Sequence, residues 1–188
     1  MPSVALDRPL RRDARRNRER LTEAAAAAFR DDGLDVAVDE IARRAGVGVA
    51  TLYRHFPAKT DLVVAVTEAV LEDLAAAAAV ALEGSDADAA ARFLDAALRH
   101  QCRNRGFLQA LAQQDLPDAA RRRLKRRVTA ILEPVVAAGH RSGSIRRDVD
   151  AAELLVLVRM LGVVVAARGR RSPEPYLSIL LRGLRETP

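Results

Sequence analysis

The chain has 188 residues, 49% hydrophobic and 30% charged, so it has the apolar content to bury a core and is too apolar for a disordered chain. Its formal net charge of +6 favours a polyanionic partner, and its single cysteine excludes an intrachain disulfide and fits a reducing compartment. The N-terminus is charged and lacks the apolar segment of a signal peptide, and the most apolar stretch, 154–167, is broken by Arg159 and too short for a bilayer, so a cytoplasmic protein with no membrane partner is expected.

Residues 1–12 read as an arm ending in Pro9-Leu10-Arg11-Arg12. Arg8, Arg11, Arg12, Arg15, Arg16, Arg18 and Arg20 crowd this arm and the start of a first helix predicted over 13–32. They form either a solvated tail or a basic arm laid along a phosphate backbone. Leu21, Ala25, Ala28 and Phe29 give the first helix an apolar stripe, and Gly33 ends it. A second helix is expected over 39–45, with Ile41, Ala42 and Ala45 facing inward. Gly46 stands where the chain must turn, since a residue without a Cβ takes positive φ at little cost. Val47 plugs the gap before a third helix over 49–56, whose inward residues are Leu52 and Phe56. Pro57 ends that helix. Its outward face is Val49, Ala50, Thr51, Tyr53, Arg54 and His55, small residues and donors that suit a DNA major groove.

A long fourth helix is predicted over 59–83, with Leu62, Val66, Val70 and Leu74 on one face. Gly84-Ser85-Asp86 breaks the chain with capping residues, and a fifth helix follows over 87–103. After the turn Asn104-Arg105-Gly106 comes a short sixth helix over 107–114, ended by Asp115-Leu116-Pro117. The seventh, over 118–142, carries Leu124, Val128, Ile131 and Val135 at helical spacing and a kinking Pro134. The eighth, over 150–168, is apolar on nearly all sides and must be covered all round. The ninth follows Ser172-Pro173 and carries the stripe Leu177, Leu180, Leu181 and Leu184. The fold class is all-α with about nine helices, and no strand pattern or repeat is visible.

The stretch IARRAGVGVATLYRHFPAK, residues 41–59, resembles the signature of the TetR/AcrR family of transcriptional regulators. The matching elements are Ile41-Ala42, Ala45-Gly46-Val47, Thr51-Leu52-Tyr53, His55-Phe56 and Lys59. The likeness is specific over 14–65 and architectural beyond. Two departures stand out: Val36-Ala37-Val38 replaces the usual capping Ser or Thr, and Gly48-Val49-Ala50 precedes the Thr in place of the usual Ser or Lys and Gly. The resemblance implies a helix-turn-helix DNA-binding domain over 1–60 and a helical regulatory and dimerisation domain over 61–188. It implies phosphate contacts from Tyr53, His55 and Lys59. Thr51 and Arg54 are the candidates for base edges, with Val49 and Ala50 small enough to approach the groove. Arg43 and Arg44 are expected on phosphate or water.

The resemblance also implies a small-molecule effector held among the middle helices. Candidate lining residues are Phe93, Ala97, Gln101, Phe107, Leu111, Ile131, Val135, Met160 and Val164, each of which reads equally well as ordinary core. Effector binding would shift the fourth helix and change the separation of two recognition helices. A homodimer seam is expected from Leu157, Leu161, Gly162, Val165, Leu177, Leu181 and Leu184. For Gly162 the alternative is a packing accommodation within one subunit. The cluster Arg121–Arg127 reads as a solvated face and Cys102 as a packed thiol. His55, His100 and His140 are scattered, so neither catalytic residues, metal ligands nor a cofactor are assigned. The function expected is a dimeric repressor on palindromic operator DNA, released by an effector, and not an enzyme. The alternatives are a ligand-independent DNA-binding protein of the same fold, or a helical enzyme or interaction module that does not act on DNA.

Overall fold

The computed structural model of the chain describes residues 7–167 and 174–185, with side chains for 13–163 and 174–185. Among the described residues it forms nine helices and no strand: α1 (Asp7–Asp31), α2 (Val38–Ala45), α3 (Val49–His55), α4 (Lys59–Leu82), α5 (Asp86–Arg103), α6 (Arg105–Ala112), α7 (Asp118–Ser142), α8 (Ala151–Ala167) and α9 (Glu174–Leu184). Packing divides the chain into two units. The first comprises the chain up to Ala69 together with Gly106–Asp115; the second comprises Val70–Arg105 and the chain from Leu116 onward. α4 is continuous and contributes to both.

In the first unit α1 buries Leu21, Ala25, Ala28 and Phe29, the stripe its spacing predicts. Ile41, Ala42 and Ala45 of α2, Leu52 of α3, and Phe56 are buried in the same unit. α1 begins at Asp7, six residues before the expected start at 13, so part of the expected arm is helical. Pro9 is third in that helix, where its missing N–H has no intrahelical partner to lose. The turn between α2 and α3 is built on Gly46, at φ 64 and ψ 37. The Gly46 N–H donates to the Arg43 carbonyl at 3.1 Å and the Val47 N–H to the Ala42 carbonyl at 3.0 Å, the paired bonds of a Schellman motif. α6 also belongs to this unit. It starts at Arg105, within the expected turn, and Phe107 stacks on Phe29 with ring centroids 6.0 Å apart. Gly106 makes this approach possible, because a Cβ there would stand 2.8 Å from the Arg30 carbonyl oxygen.

In the second unit α5 packs against α7, α8 and α9 around Phe93, Leu94, Leu132, Val135, Ile145 and Leu154. Ser85 caps α5 by accepting from the Ala87 N–H at 3.2 Å. Arg92 of α5 donates to the carbonyls of Ala81 and Ser85, closing the end of α4. α7 runs unbroken through Pro134. After it, Ile145 is fully buried against Gly139, and the Arg146 N–H donates to the Leu184 carbonyl at 2.7 Å. Asp150 opens α8 as a capping box: its carboxylate accepts from the N–H groups of Ala152 and Glu153, and Glu153 accepts from the Asp150 N–H. The expected Ser172-Pro173 cap of α9 lies outside the described residues.

Candidate nucleic-acid interface

The outward side of α3 presents Ala50 and Arg54 exposed, Tyr53 at 47% exposure, and Val49 and Thr51 half-buried. Small side chains, a hydroxyl and a guanidinium therefore share one short helix. That combination can approach base edges and form a guanidinium fork on guanine. His55 departs from the expected outward position. It lies three residues after the buried Leu52, on the flank of the inward face, and its Nε2 is enclosed without a partner. Burial, and then the neighbouring Arg54 and Arg18 charges, hold its pKa below the ordinary imidazole value, so the ring is neutral at pH 7.

Lys59 is half-buried at the start of α4 and donates to the Val36 carbonyl at 2.7 Å. It thereby braces the loop that leads into α2, whose N-cap residue Ala37 offers no side-chain bond. Two ammonium N–H groups remain for a phosphate. Arg43 and Arg44 pair with carboxylates of their own unit, Arg43 while its side chain stays 74% exposed. Arg43 grips Glu40 with two bonds of 2.7 Å. Arg44 bonds Glu40 at 2.7 Å and Asp32 at 2.6 Å, tying α2 to the chain just after α1. These two arginines hold the Glu40 pKa down at about 2. Two further arginines of α1 reach the same region, although sequence reading grouped them with the basic arm. Arg18 donates to the His55 carbonyl at 3.0 Å, and Arg20 to the Ala45 carbonyl at 2.5 Å. No local pattern could have marked them, because their acceptors lie 37 and 25 residues away.

The effector candidates are only partly brought together. Phe93, Ala97 and Val135 are fully buried in the core of the second unit, and half-buried Ile131 packs on that core. Gln101 is half-buried, with its carboxamide over Gly162. Met160 instead is 60% exposed. Phe107 and Leu111 fall in the first unit, where Phe107 packs on Phe29, because Gly106 lets α6 close onto the end of α1. The side chain of Val164 lies outside the described residues. An open groove lined by Glu133, Ala137, His140 and Ala151, among others, uses none of these candidates.

The seam candidates also divide. Leu157, Leu177 and Leu181 are half-buried against their own core, and Leu184 is fully part of it. Leu161 is half-buried and the Val165 side chain lies outside the described residues. Gly162 is covered by its own chain: a Cβ there would stand 1.7 Å from the Gln101 Oε1. On α8 and α9 the exposed large apolar residues are Val156 (54%), Met160 (60%), Val163 (62%) and Ile179 (65%); Val80 on α4 is 63% exposed as well. Val156, Met160 and Val163 follow i, i+4, i+7 spacing, one position away from the expected Leu157 and Leu161. Among the described residues no group of three or more His, Cys, Asp or Glu could hold a metal ion, and no helix is long and apolar enough to cross a membrane.

Comparison with known proteins agrees with this arrangement. Residues 21–66 match the bacterial regulatory proteins of the tetR family, and residues 85–186 match the C-terminal domain of SbtR-like transcriptional regulators. A TetR transcription regulatory protein from Mycobacterium vanbaalenii is 36% identical, with a TM-score of 0.69, over 95% of this chain and 100% of that one. A TetR transcriptional regulator from Streptomyces coelicolor is 25% identical, with a TM-score of 0.67, over 91% of this chain and 99% of that one. An HTH-type transcriptional regulator of Staphylococcus aureus (strain USA300) is 43% identical over 54 residues, which span 28% of this chain and 29% of that protein. With the helix-turn-helix and the helical region after it each matched, and a 36% identical relative matched along its whole length, the chain belongs to the TetR family of transcriptional regulators.

Proposed function

We propose that the protein is a repressor that binds a palindromic operator in the cytoplasm as a homodimer, is released by a small molecule, and has no enzymatic activity. The observation that carries DNA reading is the outward face of α3, where Ala50, Thr51, Tyr53 and Arg54 stand together on a helix-turn-helix. In this reading Thr51 and Arg54 meet base edges, Val49 and Ala50 allow close approach, and Tyr53 and Lys59 fix register on phosphates. Residues 1–60 serve DNA binding, and 61–188 serve regulation and pairing. The stripe Val156, Met160, Val163 with Ile179 supports pairing through α8 and α9, since exposed apolar side chains in one row gain most from a second copy.

The test is selection of bound duplexes from a random pool. A palindrome with half-sites about 34 Å apart, or a multiple of that, is the expected winner. Selection of non-palindromic sequences, or no selection, would reject the reading. For release, Gln101 offers one amide among the apolar residues of α5, α7 and α8. The ligand class this suits is apolar with a single polar group. The complete burial of Phe93, Ala97 and Val135 favours a second reading, a regulator with a filled core and no effector. A panel of amphipathic small molecules separates the two. Release of the duplex by one class of compound supports an effector, and an unchanged complex throughout supports the filled core.

A further inference from the structure

α3 has seven residues, too few for a stable helix on its own, and within it only Leu52 is buried. Its N-cap, Gly48, has no side chain to offer. Something else must hold its direction, and two side chains of α1 sit at its two ends. On the turn before α3, Arg20 Nη2 donates to the Ala45 carbonyl at 2.5 Å and approaches the Gly46 carbonyl at 3.4 Å. Gly46 serves this contact as well as the turn, because a Cβ there would stand 2.9 Å from Arg20 Nη2. At the far end, Arg18 Nη1 donates to the His55 carbonyl at 3.0 Å. The Arg18 guanidinium also lies 4.2 Å from the ring centroid of the fully buried Phe56. The acceptors are the last carbonyls of α2 and α3, which carry the negative ends of those helix dipoles.

We propose that Arg18 and Arg20 are positioning residues that hold the recognition helix from both ends, Arg20 through the turn before it and Arg18 through its last carbonyl and Phe56. This inference rests on the reading of α3 as the helix that meets the bases. The competing role is that of the basic arm, two cations on phosphates. Lysine separates the two roles. It keeps a cation for a phosphate, but it has no guanidinium plane to lie over the Phe56 ring while bonding the His55 carbonyl, and its shorter side chain carries the donor back from where Arg20 Nη2 meets the Ala45 and Gly46 carbonyls.

The experiment uses the full chain with R18K, R20K, R18Q and R20Q. Folded fraction and amide hydrogen exchange are measured without DNA. Affinities for the selected operator and for random duplex are measured over a range of salt. The lysine variants should stay folded and lose exchange protection in α3. Their operator-over-random ratio should fall roughly tenfold or more, as loss of a hydrogen bond from a charged donor implies. Their affinity for random duplex and its salt dependence should not change. The proposal is overturned if the lysine variants keep the ratio while the glutamine variants lower the salt slope by about one per lost phosphate contact. It is equally overturned if both affinities fall only in step with the folded fraction, which is plain destabilisation. Should the chain select no operator at all, the reading of α3 fails by itself. The exchange data then still decide the clamp, because unchanged α3 protection in R18K and R20K removes it.

Discussion

Tyr53 and Arg54 are neighbours on α3, and the proposed function gives them different roles. Tyr53 has no part in the buried face of α3, so Tyr53→Ala should weaken binding to all duplexes by similar factors, as loss of a phosphate contact does. A sequence-selective loss in competition assays would contradict that role. Arg54→Ala should relax preference at one base position of each half-site, costing roughly 1–3 kcal/mol per half-site. Repeating the duplex selection checks it, and an unchanged motif would remove Arg54 from base reading. His100 carries a different kind of consequence. It is buried beside Asn104, whose amide nitrogen lies 3.3 Å from its Nε2, and its ring donates to the Val70 carbonyl. Burial, aided by Arg103, pulls its pKa down against the opposing effects of Asp73 and that carbonyl. The folded chain thus binds this proton less readily than the unfolded chain. The stability His100 contributes is complete above about pH 6.5 and is lost as pH falls toward the lowered folded value. His55 adds in the same direction. Tm should therefore drop between about pH 7.5 and about pH 5.5. The drop should be smaller in H100Q, which can keep both hydrogen bonds without titrating; an equal drop in both proteins would clear His100.

At the scale of elements, two helical glycines give opposite expectations. Gly183 of α9 has open space where a Cβ would go. Gly183→Ala should stabilise by up to about 1 kcal/mol through helix propensity. Gly139 of α7 faces Ile145, whose Cγ1 would stand 2.5 Å from an added Cβ. Ile145 is fully buried and its Cβ is also within 2.8 Å, so it cannot swing aside as a long flexible side chain could. The overpacking cost of about 1–3 kcal/mol then exceeds the propensity gain, and Gly139→Ala should be destabilised. Urea titrations of the two variants check the signs. A stabilised Gly139→Ala would mean that the segment after α7 gives way easily.

For the whole molecule, the proposed pairing with a second copy places its seam on the exposed apolar row of α8. Met160→Asp combined with Val163→Asp should leave the subunit folded, since both positions are exposed. The same pair should abolish dimerisation and operator binding together, because a charge would be buried unpaired at the seam. Leu184→Asp, by contrast, should unfold the chain, since Leu184 belongs to the core of the second unit. Sedimentation and circular dichroism separate these outcomes. A double variant that remains dimeric and still binds the operator would place the seam elsewhere.

Much of the fold is legible in the chain because its signals are local. α7 runs over Asp118–Ser142, the expected bounds, and Ser85, Gly46 and Pro57 mark the boundaries where caps, positive φ and a missing N–H demand them. The motif around Thr51–Phe56 is equally local, which is why the helix-turn-helix and the family could be read from residues alone. Three features were not legible. α8 is apolar on almost every side, so its pattern had no asymmetry to show that Leu157 turns toward the core while Val156, Met160 and Val163 face out. α6 packs on α1 because a glycine admits a carbonyl from Arg30, far back in the chain. The intramolecular partners of the cations around α3 could not be read either: Arg18, Arg20, Arg44 and Lys59 each donate to a group 37, 25, 12 and 23 residues away. Periodicity and turn chemistry act over a few residues and can be read in order; the partner of a long charged side chain is chosen only when distant segments meet.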